Sequence, residues 1–565
     1  MLGLLLTLSS AHAVQTQADS RSGLRVETSY AWPERLGQGF YPVHIRLENT
    51  LNEPRDIQLR LEQSYGYNST VERSVHLDGG QQVELDMLFP AFTEQSASAS
   101  LYVTEQGAYV STLTNIGPGD HAPVVYTQYL LVGPDALALE DELDWIGRLG
   151  ATDHESIGSA SFGDLPPQHA AFSSVDVVVL DAREELPTTG ELDGLLGWVR
   201  LGGTLLVVGN PQGAHAHPDL DPWLQDRFAW QPYLQSGVMP GVLTWTMGRG
   251  TISFLPPEDL DHPLVLRSRI QQSSDSPLTR LLPAGNGSHN PGFTPSIPGV
   301  DALPRGLFAL LVLLVAFLLG PVNAVIVRYA LKRPALALLT TPILALGSTG
   351  TLVGVGLAHN GLGVRAARVT VTMLDQRAHR AAVHEVRQIY AGLSPGKGLR
   401  PSADAWAFPT RIEWDFQYQA SWDEGRVVAG DMLPVRVATD HVVISERPAR
   451  QRLELDGHTV SNSLGATVEQ LVLRTEGQSW GLAAPLRAGA SAELVPLPEP
   501  LAHLESLWSS TSASGPVSWP PKGLGMPEDS YVARIDASPF AETEGLSMRE
   551  DFGEHWVIGV MEESP

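Results

Sequence analysis

Cysteine is absent from all 565 residues. That single absence removes disulfides, thiolate metal sites, thiol nucleophiles and the acylated Cys of a lipoprotein. Cations are scarce as well: 37 Lys and Arg stand against 63 Asp and Glu, a formal net charge of -26. This is the wrong balance for gripping a nucleic-acid backbone, so no nucleic-acid partner is expected. Charge of either sign is missing from two long runs, residues 307–327 and 335–358. Wound as a helix at 1.5 Å per residue, the first spans about 30 Å, the thickness of a bilayer's hydrocarbon core. Core helices of soluble proteins keep a polar stripe, and these runs lack one.

Catalytic signatures are missing too. The one G-x-S-x-G match, Gly392-Leu393-Ser394-Pro395-Gly396, puts Pro where a nucleophile elbow needs a backbone N–H for its oxyanion hole. It reads as a surface turn. Gly396-Lys397-Gly398 has neither the spacing nor the hydroxyl of a phosphate loop.

What basic charge there is gathers between the two apolar runs, as Arg328, Lys332 and Arg333 in residues 328–334. Excess Lys and Arg in a short loop marks the cytoplasmic side of a helix pair. Residues 1–13, "MLGLLLTLSSAHA", end in the small-x-small pattern of a secretory signal. The expected topology follows: both large parts outside the cytoplasm, the basic turn inside, and an inner-membrane protein that crosses twice. At this length three or four cores fit.

Residues 23–118 alternate as half-buried strands do, with Val43, Ile45 and Leu47, then Ile57, Leu59 and Leu61, on one face. An antiparallel β-sandwich is expected. Residues 124–270 change character. The uninterrupted apolar strands "VDVVVLD" and "TLLVVGN" flank a helix opened by Thr188 and Glu191 at capping-box spacing and stopped by Gly202-Gly203. Strand, helix, strand with buried strands means a parallel sheet. A linker, 271–305, leads to the apolar runs, and residues 362–565 are again strand-like. The fold class expected is a multidomain α+β membrane protein.

The stretches "LPPQHAAFSSVDVVVLD", "LDGLLGWVRLGGTLLVVGN" and "GRGTISFLPPEDLDHPL", with Gly320-Pro321-Val322-Asn323 and "VSNSLGATVEQLVLRT", resemble a family of bacterial membrane proteins. Its members carry an N-terminal β-sandwich, a glutamine-amidotransferase-like domain, a transmembrane hairpin and a C-terminal β-domain. The resemblance implies a flavodoxin/amidotransferase-like α/β fold. Active amidotransferases attack with a Cys, so the resemblance implies architecture without that chemistry.

Three candidate sites remain. In "GNPQGAHAHPDLD", His215, His217 and Asp219, with Asp221 near, are metal-ligand types at a strand's carboxyl end; the alternative is a solvated loop. Trp414, Phe416 and Tyr418 alternate on one strand face, either a sandwich core or a platform for a sugar ring or partner. Gly350, Gly354 and Ala358 place a small-residue face on the second apolar helix, suited to packing on the first helix or on a second copy. The function expected is a non-catalytic envelope protein that binds, senses or scaffolds, with no cofactor, with lipid and other envelope proteins as partners. The alternatives are a membrane-anchored metal-dependent hydrolase and a carbohydrate-binding envelope protein.

Overall fold

In the computed structural model the chain is mostly β, its strands forming four sheets among the described residues. The structure describes residues 15–19, 22–29, 39–63, 68–91, 99–116, 127–134, 155–183, 185–208, 243–247, 250–256, 295–300, 305–330, 337–393, 399–402, 404–409, 417–423, 426–429, 433–498, 528–543 and 545–561, with 262, 265, 266, 268, 332 and 335. The signal-like segment 1–13 lies outside them.

Two sheets build the N-terminal sandwich. One runs Gln15–Asp19, Leu24–Ser29, Gly39–Asn49, Gln82–Ala91, all antiparallel. Val43, Ile45 and Leu47 are buried in it, and Ile57, Leu59 and Leu61 of Arg55–Gln63 are buried in the other. The second sheet departs from the expected domain limits. Its order is Arg426–Ala429, Gln417–Asp423, Asn68–Leu77, Arg55–Gln63, Ala99–Glu105, Ala108–Ile116, so two strands come from the C-terminal part. Gln417–Asp423 pairs in parallel with Asn68–Leu77, and it buries Ala420 and Trp422 while exposing Gln419 and Ser421. An apolar face at period two sits on whichever sheet offers a core, and here that is the sandwich.

The α/β module has a six-stranded sheet in the order Glu155–Ala160, Thr127–Val132, Val177–Asp181, Thr204–Val208, Gly250–Leu255, Leu243–Met247. All neighbours are parallel except the last pair. Every residue of Val177–Asp181 and Thr204–Val208 is buried, as a sheet covered on both faces requires. Helix α1, Thr189–Leu201, starts with the capping box, Thr188 N donating to Glu191 Oε2 at 2.6 Å. A Cβ on Gly203 would stand 2.3 Å from the buried Trp198 ring, so only Gly lets the helix end turn so tightly into its strand.

The C-terminal sheet has eleven strands, Val364–Asp375 and Met548–Val560 lying parallel at its middle. One hydrophobic cluster runs through the sandwich, the α/β module and this sheet. Phe40 of the sandwich stacks on Trp406 and Phe408 of Ala405–Pro409, with ring centroids 5.0 Å away in both cases. Its N–H donates to Ser173 Oγ at 2.8 Å. The sandwich, the α/β module and the C-terminal sheet are therefore one packed body.

Helix α2, residues 305–330, is interrupted by wider π-type turns at Leu318–Val322 and Ile326–Ala330. Pro321 has no N–H and its ring crowds the carbonyl one turn back, which accounts for the first of them. Helix α3, Ala337–Asn360, returns. Among the described residues one helical stretch, Val312–Tyr329, is long and apolar enough to cross a membrane, and only 11% of it is buried. The sequence led us to expect two such spans. Helix α3 has the length, 24 residues, but the side chains of several of them, 352, 353 and 355–360 included, lie outside the described ones.

Candidate functional site

The strand order of the α/β sheet places its topological switch between Thr127–Val132 and Val177–Asp181, where connections leave in opposite directions. Open α/β sheets bind ligands at the carboxyl ends of such strands. Among the described residues that crest holds Gly133 and Asp181. Gly133 has φ +149, and a Cβ on it would come 2.7 Å from Asp181 Cβ, so Gly keeps the two strand ends in contact. Asp181 is closed by Arg183, whose Nε and Nη2 each donate to its carboxylate at 2.8 Å. A carboxylate held bidentately by its own neighbour is poorly placed to relay protons. The loop following Val208 carries His215, His217, Asp219 and Asp221, which lie outside the described residues. Among the described residues no three His, Asp or Glu are grouped to hold a metal ion.

The C-terminal sheet holds a polar cluster that the sequence analysis did not single out. Thr370, Glu385, Arg387 and His555 are each fully buried on one sheet face. Register explains the grouping: Thr370 stands opposite Glu385 on one side and His555 on the other. His555 Nδ1 lies 2.7 Å from Thr370 Oγ1, and Nε2 lies 2.8 Å from Glu550 Oε1. With the carboxylate accepting from Nε2–H, Nδ1 is left to accept the Thr370 hydroxyl proton. Arg368 and Arg387 both reach Glu385 Oε1 at 3.4 Å, and the backbone N–H of Glu542 donates to Glu385 Oε2 at 3.3 Å.

Hydroxyl, imidazole and carboxylate in series have the connectivity of a hydrolytic triad. Accessibility decides against it: Thr370 and His555 have no exposed surface, so no substrate carbonyl reaches the hydroxyl. The cluster instead ties three strands together. Thr370→Val keeps the shape and removes the hydroxyl, leaving His555 Nδ1 without its donor. It should lower stability by about 1–3 kcal/mol in a urea titration, and an unchanged midpoint would show that the chain is not energetically coupled.

The remaining sequence candidates fall as follows. Ser394, Trp414, Phe416 and Arg333 lie outside the described residues. Tyr418 pairs in register with Ser69. Four residues on, Trp422 is 8% exposed, with Trp406 at 6.2 Å and the Arg73 guanidinium 5.7 Å over its ring, so that indole is core; the side chains of Trp414, Phe416 and Tyr418 lie outside the described residues. Arg328 and Lys332 are exposed at the helix turn. Gly350 and Gly354 do not meet helix α2: a Cβ on either would find no atom within 4 Å. The two helices meet at a polar pair instead, Asn323 Nδ2 donating to Thr341 Oγ1 at 2.9 Å. Half-buried Leu344, Ala345 and Ser348 continue that face at helical spacing, which turns Gly350 and Gly354 away. For Ala358 the helix backbone alone is described.

No protein-family model matches the chain, and no curated protein does. Solved structures show slight similarity. A Paenibacillus cycloisomaltooligosaccharide glucanotransferase aligns at 14% identity over 32% of this chain and 27% of its own, with a TM-score of 0.15. The mu-homology domain of yeast delta-COP-I aligns at 8% identity over 35% of this chain and 96% of its own, TM-score 0.17. A β-galactosidase-like protein from Bacteroides fragilis aligns at 10% identity over 84% and 74%, TM-score 0.17. The chain spans about a quarter of the glucanotransferase. Scores this low carry no argument about fold or activity.

Proposed function

We propose that the protein is a non-catalytic, membrane-anchored component of the cell envelope, whose soluble parts form one binding or scaffolding body on the outer side of the inner membrane. The observation that carries this is a parity argument. Residues before the helical hairpin and residues after it share a core and a hydrogen-bonded sheet, as Phe40 with Trp406 and Asn68–Leu77 with Gln417–Asp423 attest. Both parts must then occupy the same side of any membrane, and the chain between them must cross an even number of times. Val312–Tyr329 leaves Leu313 and Phe317 uncovered, 68% and 56% exposed, which lipid tolerates and water does not. One crossing there requires a second, and helix α3, at 24 residues, has the length for it.

The ends of the hairpin agree with this arrangement. Ile297 N–H donates to Gln388 Oε1 at 2.9 Å, and Arg365 Nη2 donates to Pro298 O at 2.9 Å. Chain entering the hairpin is thus fastened to the sheet that the chain leaving it begins. The basic turn at Arg328 and Lys332 supports the cytoplasmic side for the connection. The resemblance to amidotransferase-like envelope proteins adds the expectation of a binding fold without its nucleophile.

The Cys-free chain permits a clean test. Single cysteines replace Tyr109 in the sandwich, Val495 in the C-terminal sheet and Lys332 in the turn, all exposed positions. A membrane-impermeant maleimide applied to intact spheroplasts should label Tyr109→Cys and Val495→Cys and spare Lys332→Cys until the membrane is permeabilised. Labelling of Tyr109→Cys with protection of Val495→Cys would overturn the parity argument.

A further inference from the structure

In a chain of net charge -26, two segments that face each other in the C-terminal sheet are rich in arginine: Arg377 and Arg380, flanking His379, in one, and Arg447, Arg450 and Arg452 in the other. Between them lies an open groove of about 690 Å³ lined by His379, Pro448, Ala449, Arg450, Arg452, Glu454 and Ser463. Its wall is fixed by backbone. His379 takes a left-handed conformation, φ +52, and its carbonyl accepts from Ala449 N–H at 2.8 Å. Arg452 and Ser463 exchange backbone hydrogen bonds across the next hairpin.

The side chains differ in what they leave available. Arg380 is engaged by Glu446, and Arg447 donates to Pro539 O. Arg452 donates to Glu454 Oε1 at 2.5 Å with both side chains about half exposed. Arg450 is exposed, and among the described residues no carboxylate pairs with it. The lining thus presents a guanidinium, a second one shared with a carboxylate, a hydroxyl at Ser463 and an apolar surface at Pro448, with Ala449 buried beneath.

We infer that this groove binds an acidic saccharide, a sugar chain carrying carboxylates. Guanidinium forks match carboxylates, Arg450 taking one without first breaking an ion pair. Glu454 decides between a sugar and a bare polyanion. It repels the closely spaced charges of polyphosphate, whereas a sugar hydroxyl donates to it while Ser463 serves a second hydroxyl. The exposed Pro448 gives the ring's C–H face an apolar surface. The inference deepens the binding role proposed above by naming a ligand class, and it rests on that role.

The test uses the full chain in detergent, titrated with an oligogalacturonate, with its neutral reduced counterpart and with polyphosphate. The carboxylated oligomer should bind saturably. Arg450→Glu should weaken it by at least about tenfold, in line with removing one charge-assisted contact, with an unchanged melting temperature because Arg450 is exposed. Added salt should weaken binding to the wild type more than to the variant. Equal binding by the variant, equal binding of the neutral oligomer, tighter binding of polyphosphate, or no saturable binding of the oligogalacturonate would each overturn the inference. Since the titration does not depend on membrane orientation, its failure is distinct from a failure of the maleimide labelling.

Discussion

Arg200→Met is expected to destabilise the protein by about 3 kcal/mol or more and to split its unfolding into two transitions, whereas Arg200→Met combined with Glu446→Leu should recover most of the loss. Arg200 closes helix α1 of the α/β module, and its Nη1 lies 2.9 Å from Glu446 Oε1 of the C-terminal sheet, the side chains being 9% and 8% exposed. Breaking a buried pair from one side costs about 3–5 kcal/mol because the other charge stays behind desolvated, while replacing both by apolar groups is often neutral. Burial pushes the Arg200 guanidinium below its ordinary value, and Glu446 opposes that shift. Arg380 also reaches Glu446, at 3.4 Å, but is 36% exposed and less able to replace the lost partner. Urea titrations followed by tryptophan fluorescence suffice, since Trp198 reports on one module and Trp406 and Trp556 on the other. A single transition displaced by less than about 0.5 kcal/mol, the range of ordinary surface changes, would show that the pair does not couple the modules.

That coupling was invisible in the sequence, and the reason is general. Local features were legible: the alternation of Val43, Ile45 and Leu47, the Thr188–Glu191 box and the apolar strands at Val177 and Thr204 each depend on residues a few positions apart. What could not be read was which sheet a strand joins. The alternation through Trp414, Phe416 and Tyr418 marked a strand with an aromatic face, yet the strand that holds Tyr418 pairs with Asn68–Leu77, more than three hundred residues earlier. Likewise Thr370, Glu385, Arg387 and His555 are polar residues on strands, of the kind a solvent-facing row would hold. The backbone of Glu542, more than 150 residues on, bonds both Glu385 and Arg387, a contact with no local trace. At the helical hairpin a glycine stripe suggested the interface, whereas the hydrogen bond that joins the two helices runs between Asn323 and Thr341, which no local pattern pairs.

The second large effect concerns pH, and it is hidden in the wild type. Asp176 starts the strand Val177–Asp181; its Oδ2 accepts from Gln128 N–H at 2.8 Å, while burial pushes its carboxyl up to about 7 against the bond's opposing pull. His169, in the turn just before it, is pushed down to about 4 by burial, with the charge of Arg200 adding to the shift. Unfolded, the two titrate near 3.9 and 6.5. Between about pH 4 and 6.5 folding therefore takes up a proton at Asp176 and releases one at His169, and the two slopes cancel.

Removing either group exposes the other. In Asp176→Asn, where the amide oxygen keeps the Gln128 bond, only His169 remains. Its contribution is full above pH 6.5 and is lost as pH falls toward 4, so stability should drop with acid by about 1.4 kcal/mol per unit relative to wild type. In His169→Leu only Asp176 remains. Its contribution is full below pH 4 and is lost as pH rises through 7, so that variant should weaken toward neutral pH at a similar slope. Urea midpoints at intervals from pH 4 to 8 measure both, with the wild-type curve subtracted to remove every other titrating group. The two difference curves should slope in opposite directions, and at pH 8 Asp176→Asn should exceed wild type by about 4 kcal/mol relative to their difference at pH 4, the size of a three-unit shift. Difference curves that both run flat would mean that Asp176 and His169 exchange no protons on folding, and the buried ends of the α/β sheet would then need another account of how they tolerate an acid and an imidazole.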